Sequence, residues 1–123
     1  MKTVLIVDDS AFMRKAIKNI VTRNGYDVVG EAKNGKIGVE KYKTLRPDIV
    51  TMDLVMDEMC GLEALKQIYA ENPEANIIIV SSMGQETIVR DAIVLGAKNF
   101  IGKPFDEKQV MEAFKKLWTA KNI

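Results

Sequence analysis

Short runs of apolar residues alternate along the chain with longer segments in which apolar residues recur every three or four positions. The short runs predict buried strands, and the longer segments predict amphipathic helices. The predicted strands cover residues 4–7, 28–29, 49–52, 77–80 and 100–101. A predicted helix follows each strand, and its boundaries are indicated by Ser10, Gly25, Asn34, Pro47, Pro73, Gly96 and Asp106. Five such strand–helix units predict an α/β fold with a parallel sheet covered by helices on both faces.

The composition is that of one ordinary globular domain. The chain has 123 residues, of which 47% are hydrophobic and 28% are charged, and it shows no linker, repeat or low-complexity segment. Eighteen basic and 17 acidic side chains leave a net charge of +1, which argues against a general nucleic-acid-binding protein. We therefore expect a single domain over residues 1–123.

Residue types that are rare or missing narrow the chemistry. The sequence contains no histidine, which excludes Ser-His and Cys-His nucleophile pairs and most zinc sites. Cys60 is the sole cysteine, so an internal disulfide cannot form. The apolar run near the N-terminus is too short for a signal peptide, and no stretch approaches the length of a membrane span. We expect a reduced cytoplasmic protein without a membrane partner.

Polar residues with complementary chemistry follow four of the five predicted strands. They are Asp8-Asp9, Asp53, Ser81-Ser82 and Lys103-Pro104. Any one of them could be an ordinary loop residue, but open parallel sheets bind ligands beyond the carboxyl ends of their strands, where these residues would meet. Carboxylates with few other donors suit Mg²⁺, while a lysine and a hydroxyl can bind an anionic oxygen. The set therefore predicts a phosphoryl-transfer site in which a carboxylate can itself be the nucleophile.

The same residues carry a resemblance to a known family. The ordered set resembles the receiver domain of two-component response regulators, and the resemblance extends over the whole chain. Its members are Asp8-Asp9-Ser10, Asp53, the loop Met56…Met59-x-Gly61, Ser81 and Lys103-Pro104-Phe105. Within that family, the sequence is most similar to stand-alone chemotaxis regulators of the CheY type. The resemblance implies a flavodoxin-like (βα)5 doubly wound sandwich, with a five-stranded parallel sheet of order 2-1-3-4-5 and one receiver domain spanning residues 1–123.

The resemblance also implies the residues that accept phosphate and hold the metal. Asp53 matches the phosphoacceptor and would take a phosphoryl group from a phosphohistidine of a histidine kinase. Mg²⁺ would be bound by Asp9, Asp53 and the backbone carbonyl of Val55, with Asp8 acting mainly through water. The missing histidine fits this role, because the donor protein supplies that residue.

Further positions match the residues that stabilise the phosphoryl group and switch the surface. Ser81 and Lys103 would contact phosphoryl oxygens after phosphorylation. Phe100 matches the aromatic switch residue and would rotate inward as Ser81 moves; without the resemblance, it reads as a core aromatic. The Lys103–Pro104 peptide bond is expected to be cis.

The implied function is a monomeric signalling module rather than an enzyme, since it assists only its own phosphorylation and dephosphorylation. The expected partners are a histidine kinase, a phosphatase and a downstream protein, with the flagellar motor switch as the narrower interpretation. A phosphorelay intermediate or a signalling receiver outside chemotaxis remains an alternative. The output surface would cover Gln85–Leu95, Asn99–Ile101 and Asp106–Trp118.

Two other classes of protein fit the sequence less well. An aspartyl-phosphate phosphatase would carry a second aspartate two residues after the first, where this chain has Val55. A dinucleotide binder would have a glycine-rich loop after the first strand, where this chain has Asp8-Asp9-Ser10.

Several positions depart from the family pattern. Asp57 stands where proline is usual, which we interpret as a tolerated substitution or as added negative charge beside the metal. Cys60 is expected to be a small, half-buried filler. Val55 and Met83 are apolar where the attacking water would pass, which predicts slow self-dephosphorylation. The first helix carries basic residues without an acid, which predicts a solvated face or a guide for an acidic partner: Arg14, Lys15, Lys18 and Arg23.

Overall fold

Five strands and five helices alternate along the chain in a computed structural model that describes residues 2–56 and 59–121. Asp57 and Glu58 lie outside the described residues, so both interpretations of Asp57 stay untested. The strands are β1 (Thr3–Val7), β2 (Asp27–Ala32), β3 (Ile49–Asp53), β4 (Ile77–Ser81) and β5 (Asn99–Gly102). The helices are α1 (Ala11–Arg23), α2 (Gly35–Leu45), α3 (Gly61–Glu71), α4 (Glu86–Leu95) and α5 (Glu107–Lys121).

All five strands are parallel and lie in the order β2-β1-β3-β4-β5, which confirms the predicted sheet. Side chains of β1 alternate between the two faces: Leu5 and Val7 pack in one buried cluster, and Val4 and Ile6 pack in the other. Because both faces of the central strands are covered, the side chains of β3 and β4 are all buried and most of them are apolar. The sheet therefore has two hydrophobic cores rather than one.

The observed strands extend beyond the apolar runs in the sequence. Asp53 and Ser81 are the last residues of β3 and β4, so two of the candidate site residues belong to the sheet itself. The edge strand β2 has six residues where the sequence predicted two. Most of its side chains are only partly buried, and such a strand does not show the continuous apolar run of a central one.

Side-chain caps start three helices close to the preceding strands. The Ser10 hydroxyl accepts a hydrogen bond from the Met13 amide, and the Asn34 side chain accepts one from the Ile37 amide. Asp106 accepts one from the amide of Gln109 at the start of α5. Short loops therefore hold the polar residues at the carboxyl edge of the sheet. None of the helices among the described residues has the length and apolarity needed to cross a membrane.

Candidate functional site

Three carboxylates converge where β1 and β3 end. One oxygen each from Asp8, Asp9 and Asp53 lies within 4.8 Å of the others. They meet because β1 and β3 are neighbours in the sheet, although Asp8 and Asp53 are 45 positions apart in the sequence. Asp8 and Asp53 are buried, whereas Asp9 is exposed. A compact group of oxygen donors that is open on one side fits a Mg²⁺ ion that keeps some of its water.

The lysine predicted from the fifth strand also reaches this group. Lys103 follows β5, and its Nζ lies 3.1 Å from Asp8 Oδ2 and 3.6 Å from Asp53 Oδ2. Only 14% of its side chain is exposed. A single ammonium group cannot neutralise three carboxylates, so the cluster keeps an excess of negative charge. That excess favours binding of a divalent cation.

The environment of Asp53 changes its acidity. Burial raises the pKa of the Asp53 carboxyl above its ordinary value of 3.8, and the Asp8 carboxylate raises this pKa further. The Lys103 ammonium acts in the opposite direction, as does a hydrogen bond from the Val55 amide to Asp53 Oδ1 at 3.3 Å. A cation bound beside Asp53 would favour its charged form, which is the nucleophilic form.

A glycine allows the third helix to begin directly against the end of β3. The Gly61 amide donates a hydrogen bond to the Leu54 carbonyl at 2.9 Å. A Cβ atom on residue 61 would lie 2.2 Å from the Asp53 carbonyl oxygen and 2.6 Å from Leu54 Cα. These are backbone atoms that cannot move aside cheaply, so only glycine fits here.

Asp8 is held by contacts that the sequence did not reveal. Its Oδ1 accepts a hydrogen bond from the Ser10 amide at 2.9 Å, and its backbone carbonyl accepts one from Arg14 Nη1 at 2.7 Å. Arg14 Nε also donates to Glu31 Oε1 on β2 at 3.1 Å. The interpretation of Arg14 as part of a solvated face is therefore wrong. Its place one helical turn after Ser10 was the available signal, but the partner on β2 comes from the tertiary structure.

Ser81 and Phe100 flank a groove beside the carboxylates. Ser81 is buried at the end of β4, and its carbonyl accepts a hydrogen bond from the Lys103 amide at 2.7 Å. The Phe100 side chain is 53% exposed, so it is not the core aromatic that its sequence alone suggests. It lines a cavity of about 510 Å³ that also borders Ser81 and Lys103. The Lys103–Pro104 peptide bond is cis.

Three other candidate positions lie at the surface of this region. Val55 and Met83 are 51% and 92% exposed, which leaves both apolar side chains facing solvent near the carboxylates. Cys60 is exposed, so its interpretation as a half-buried filler is wrong. It is the N-cap residue of α3, and its side chain makes no capping hydrogen bond.

Comparison with known proteins identifies the family. The model of the response regulator receiver domain matches residues 4–115. The chain belongs to this family. It is 56% identical over 116 residues to the chemotaxis protein CheY of Thermotoga maritima, and the matched region covers 94% of this chain and 97% of that protein. It is 55% identical over 113 residues to the chemotaxis protein CheY of Bacillus subtilis, covering 92% and 94%.

Solved structures show the same receiver fold. A chain in the CheX–CheY–BeF3–Mg²⁺ complex from Borrelia burgdorferi has a TM-score of 0.91 and 37% identity, covering 95% of this chain and 89% of that one. The response regulator domain of Thermotoga maritima CheB has a TM-score of 0.85 and 39% identity, covering 100% and 98%. These likenesses confirm the flavodoxin-like receiver architecture that the sequence resemblance implied.

Proposed function

We propose that this protein is a single-domain response regulator of the cytoplasm that accepts a phosphoryl group on Asp53. The observation that carries the proposal is the placement of the buried Asp53 carboxylate beside two further carboxylates and the Lys103 ammonium. A site of this kind supplies a nucleophile, oxygen ligands for a divalent cation and a positive charge for a phosphoryl oxygen. Asp8, Asp9, Asp53 and the Val55 carbonyl would hold Mg²⁺, which supplies charge neutralisation at the phosphoryl group.

The chemical step follows from the same residues. An Asp53 carboxylate oxygen attacks the phosphorus of a phosphohistidine on the donor kinase. The bond from phosphorus to the histidine nitrogen breaks as the new bond from phosphorus to oxygen forms, which leaves an acyl phosphate on this chain. Lys103 contributes a positive charge toward the transferred group, and Ser81 contributes a hydroxyl from the adjacent strand end.

Phosphorylation would change the surface that a downstream protein reads. Ser81 would bond to a phosphoryl oxygen and draw the loop after β4 inward. The cavity of about 510 Å³ between Ser81 and Phe100 supplies room for the aromatic ring to follow. The exposed position of Phe100 is therefore consistent with an unphosphorylated state from which it can rotate inward. The altered surface would include α4, β5 and α5.

Chemotaxis is the narrower part of the proposal. Relatives at 55–56% identity that match this chain over most of their length are named chemotaxis protein CheY. The similarity to a chain of a CheX–CheY complex supports a second partner that acts on the phosphorylated state. We infer that the flagellar motor switch is the target and that a chemotaxis histidine kinase is the donor. A phosphorelay intermediate would share the acceptor site but would pass the phosphoryl group to another histidine.

Mass spectrometry of the intact protein tests the acceptor role. The chain is incubated with acetyl phosphate and Mg²⁺, and we expect one added phosphoryl group per chain that is stable in acid and labile in base. Asp53→Ala should remove the addition, whereas Asp27→Asn, which changes an exposed aspartate on β2, should leave it unchanged. An absent addition, or one that persists in Asp53→Ala, would overturn the proposal.

A binding assay separates chemotaxis from the alternatives. The phosphorylated chain is passed over an immobilised flagellar motor switch protein and, in parallel, over a histidine phosphotransfer domain. Phosphorylation-dependent binding to the switch protein is expected. Rapid transfer of the phosphoryl group to the phosphotransfer domain, without binding to the switch protein, would instead support a relay.

A further inference from the structure

The Arg14 side chain connects the edge strand β2 to the loop that carries Asp8 and Asp9. Its guanidinium group is planar and presents donors in a fixed fork. One arm donates to the Asp8 carbonyl at 2.7 Å, and Nε donates to Glu31 Oε1 at 3.1 Å. Only 18% of the Arg14 side chain is exposed. The guanidinium group therefore links β2 to the loop after β1, two segments that α1 would not otherwise hold at a fixed distance.

Two further basic residues lie near Glu31. Lys18 Nζ lies 3.6 Å from Glu31 Oε2, and Lys41 of α2 donates a hydrogen bond to the Glu31 backbone carbonyl. Lys41 therefore holds the backbone of Glu31 from α2, whereas Lys18, whose side chain is 50% exposed, is only an outer neighbour of its carboxylate. Because Glu31 also balances the charge of Arg14, the pair adds little net charge beside the three carboxylates.

We propose that Arg14 is a positioning residue for divalent-cation binding, acting through the Asp8 backbone rather than by contact with the ion. This inference rests on the proposed function, since it assumes that the Asp8, Asp9 and Asp53 carboxylates bind Mg²⁺. Arg14 holds the Asp8 carbonyl and the Ser10 amide holds Asp8 Oδ1, so both the backbone and the side chain of Asp8 are restrained beside Asp53. The contact limits rotation of the backbone at Asp8, and it also limits movement of Asp9, the next residue.

The direction of the effect distinguishes positioning from simple electrostatics. Arg14 is a cation, so removing its charge alone would tighten the binding of another cation to the cluster. Positioning predicts the reverse, because a loop freed from Arg14 must be ordered again when the ion binds. Residues that orient a metal ligand without contacting the metal typically lower metal affinity by about 10–100-fold when they are removed. We expect the lower end of this range, since the contact reaches the ligand residue through its backbone.

Isothermal titration with Mg²⁺ alone, without a phosphoryl donor, measures the effect. Arg14→Met should raise the Kd for Mg²⁺ about tenfold. Arg14→Lys keeps the charge but cannot form the fork, so its Kd should rise to an intermediate value. Lys18→Met is the matched control, because it removes a cation from the same helix and from the same Glu31 without touching Asp8. It should bind Mg²⁺ as tightly as the original protein or more tightly.

Each outcome decides the proposal. Weaker binding in both Arg14 variants, with unchanged or tighter binding in Lys18→Met, supports it. An unchanged Kd in Arg14→Lys together with equal behaviour of Arg14→Met and Lys18→Met would overturn it in favour of a purely electrostatic role. Arg14→Lys keeps the inference testable if Arg14→Met does not fold. If the original protein binds no Mg²⁺, the proposed function fails as well, whereas normal binding in all variants removes only the role of Arg14.

Discussion

Replacing Lys103 with methionine would remove the ammonium group that lies between the Asp8 and Asp53 carboxylates. Methionine keeps much of the length and the apolar stem of lysine, so the change is mainly electrostatic. The two contacts are 3.1 and 3.6 Å long, and the lysine side chain is 14% exposed. At an effective dielectric constant of about 20, opposite unit charges at these separations attract by about 5 kcal/mol per pair.

Much of this attraction offsets the cost of dehydrating the buried ion, which is several kcal/mol. Removing one partner from a buried ion pair typically costs about 3–5 kcal/mol, because the remaining charge is left without compensation. We expect Lys103→Met to lower the free energy of unfolding by about 3 kcal/mol in Mg²⁺-free buffer at neutral pH. We take the lower end of the range of about 3–5 kcal/mol because Asp8 keeps its hydrogen bond from the Ser10 amide.

Urea denaturation followed by circular dichroism measures this loss in EDTA and then in saturating Mg²⁺. Without the lysine, the carboxylates attract a cation more strongly, so Mg²⁺ should stabilise the variant more than the original protein and narrow the gap. Lys66→Met, which alters an exposed lysine on α3, should change stability by less than about 0.5 kcal/mol. Equal stability of Lys103→Met and the original protein in EDTA would refute the reasoning, and so would a gap that Mg²⁺ leaves unchanged.

The remaining predictions concern the acceptor, its loop and the phosphate lifetime. Because the pKa of Asp53 is raised in the folded chain, this group stabilises the fold fully below its ordinary pKa of 3.8, and the contribution is lost as the pH rises through the raised value. Asp53→Asn should therefore unfold at a higher urea concentration than the original protein at pH 7 in EDTA. This stability difference should shrink below about pH 4, and an equally large difference there would contradict the expected pH dependence. Gly61→Ala should lose about 1–3 kcal/mol of stability from overpacking, measured in the same urea titration. Gly102→Ala should lose less, because its added Cβ would meet no atom within 4 Å. The double variant Val55→Asn, Met83→Glu should shorten the lifetime of the acyl phosphate, followed by loss of the added phosphoryl mass, because polar side chains can order the attacking water; an unchanged lifetime would show that these positions do not control hydrolysis.

The apolar runs were sufficient to predict every strand of the sheet, but they did so unevenly. Ile77, Ile78, Ile79 and Val80 form a continuous run because a central parallel strand is buried on both faces. The edge strand β2 has a partly exposed, mixed pattern, and its six residues were predicted as two. The prediction from sequence was therefore strongest where burial is complete and weakest at the edge of the sheet.

The candidate site also has residues that the sequence predicted and contacts that it did not. Asp8, Asp53, Ser81 and Lys103 could be found because each follows or ends an apolar run, and all such ends meet at one edge of a parallel sheet. The contacts of Arg14 could not be found in this way. Its partner Glu31 lies on another strand, 17 positions along the chain, and a run of basic residues on a helix looks the same whether or not one of them turns inward.

By itself, the sequence determined the α/β class, the order of its elements and the type of chemistry at the strand ends, because burial imposes a local period on the residues of each element. Through the family resemblance it also indicated the strand order that the structure confirmed. Only the tertiary structure decided the distances from Lys103 to the two carboxylates, the outward position of Phe100 and the fork of Arg14. Those features depend on how distant segments pack together, and no local pattern of residues encodes the direction of a side chain toward a partner on another strand.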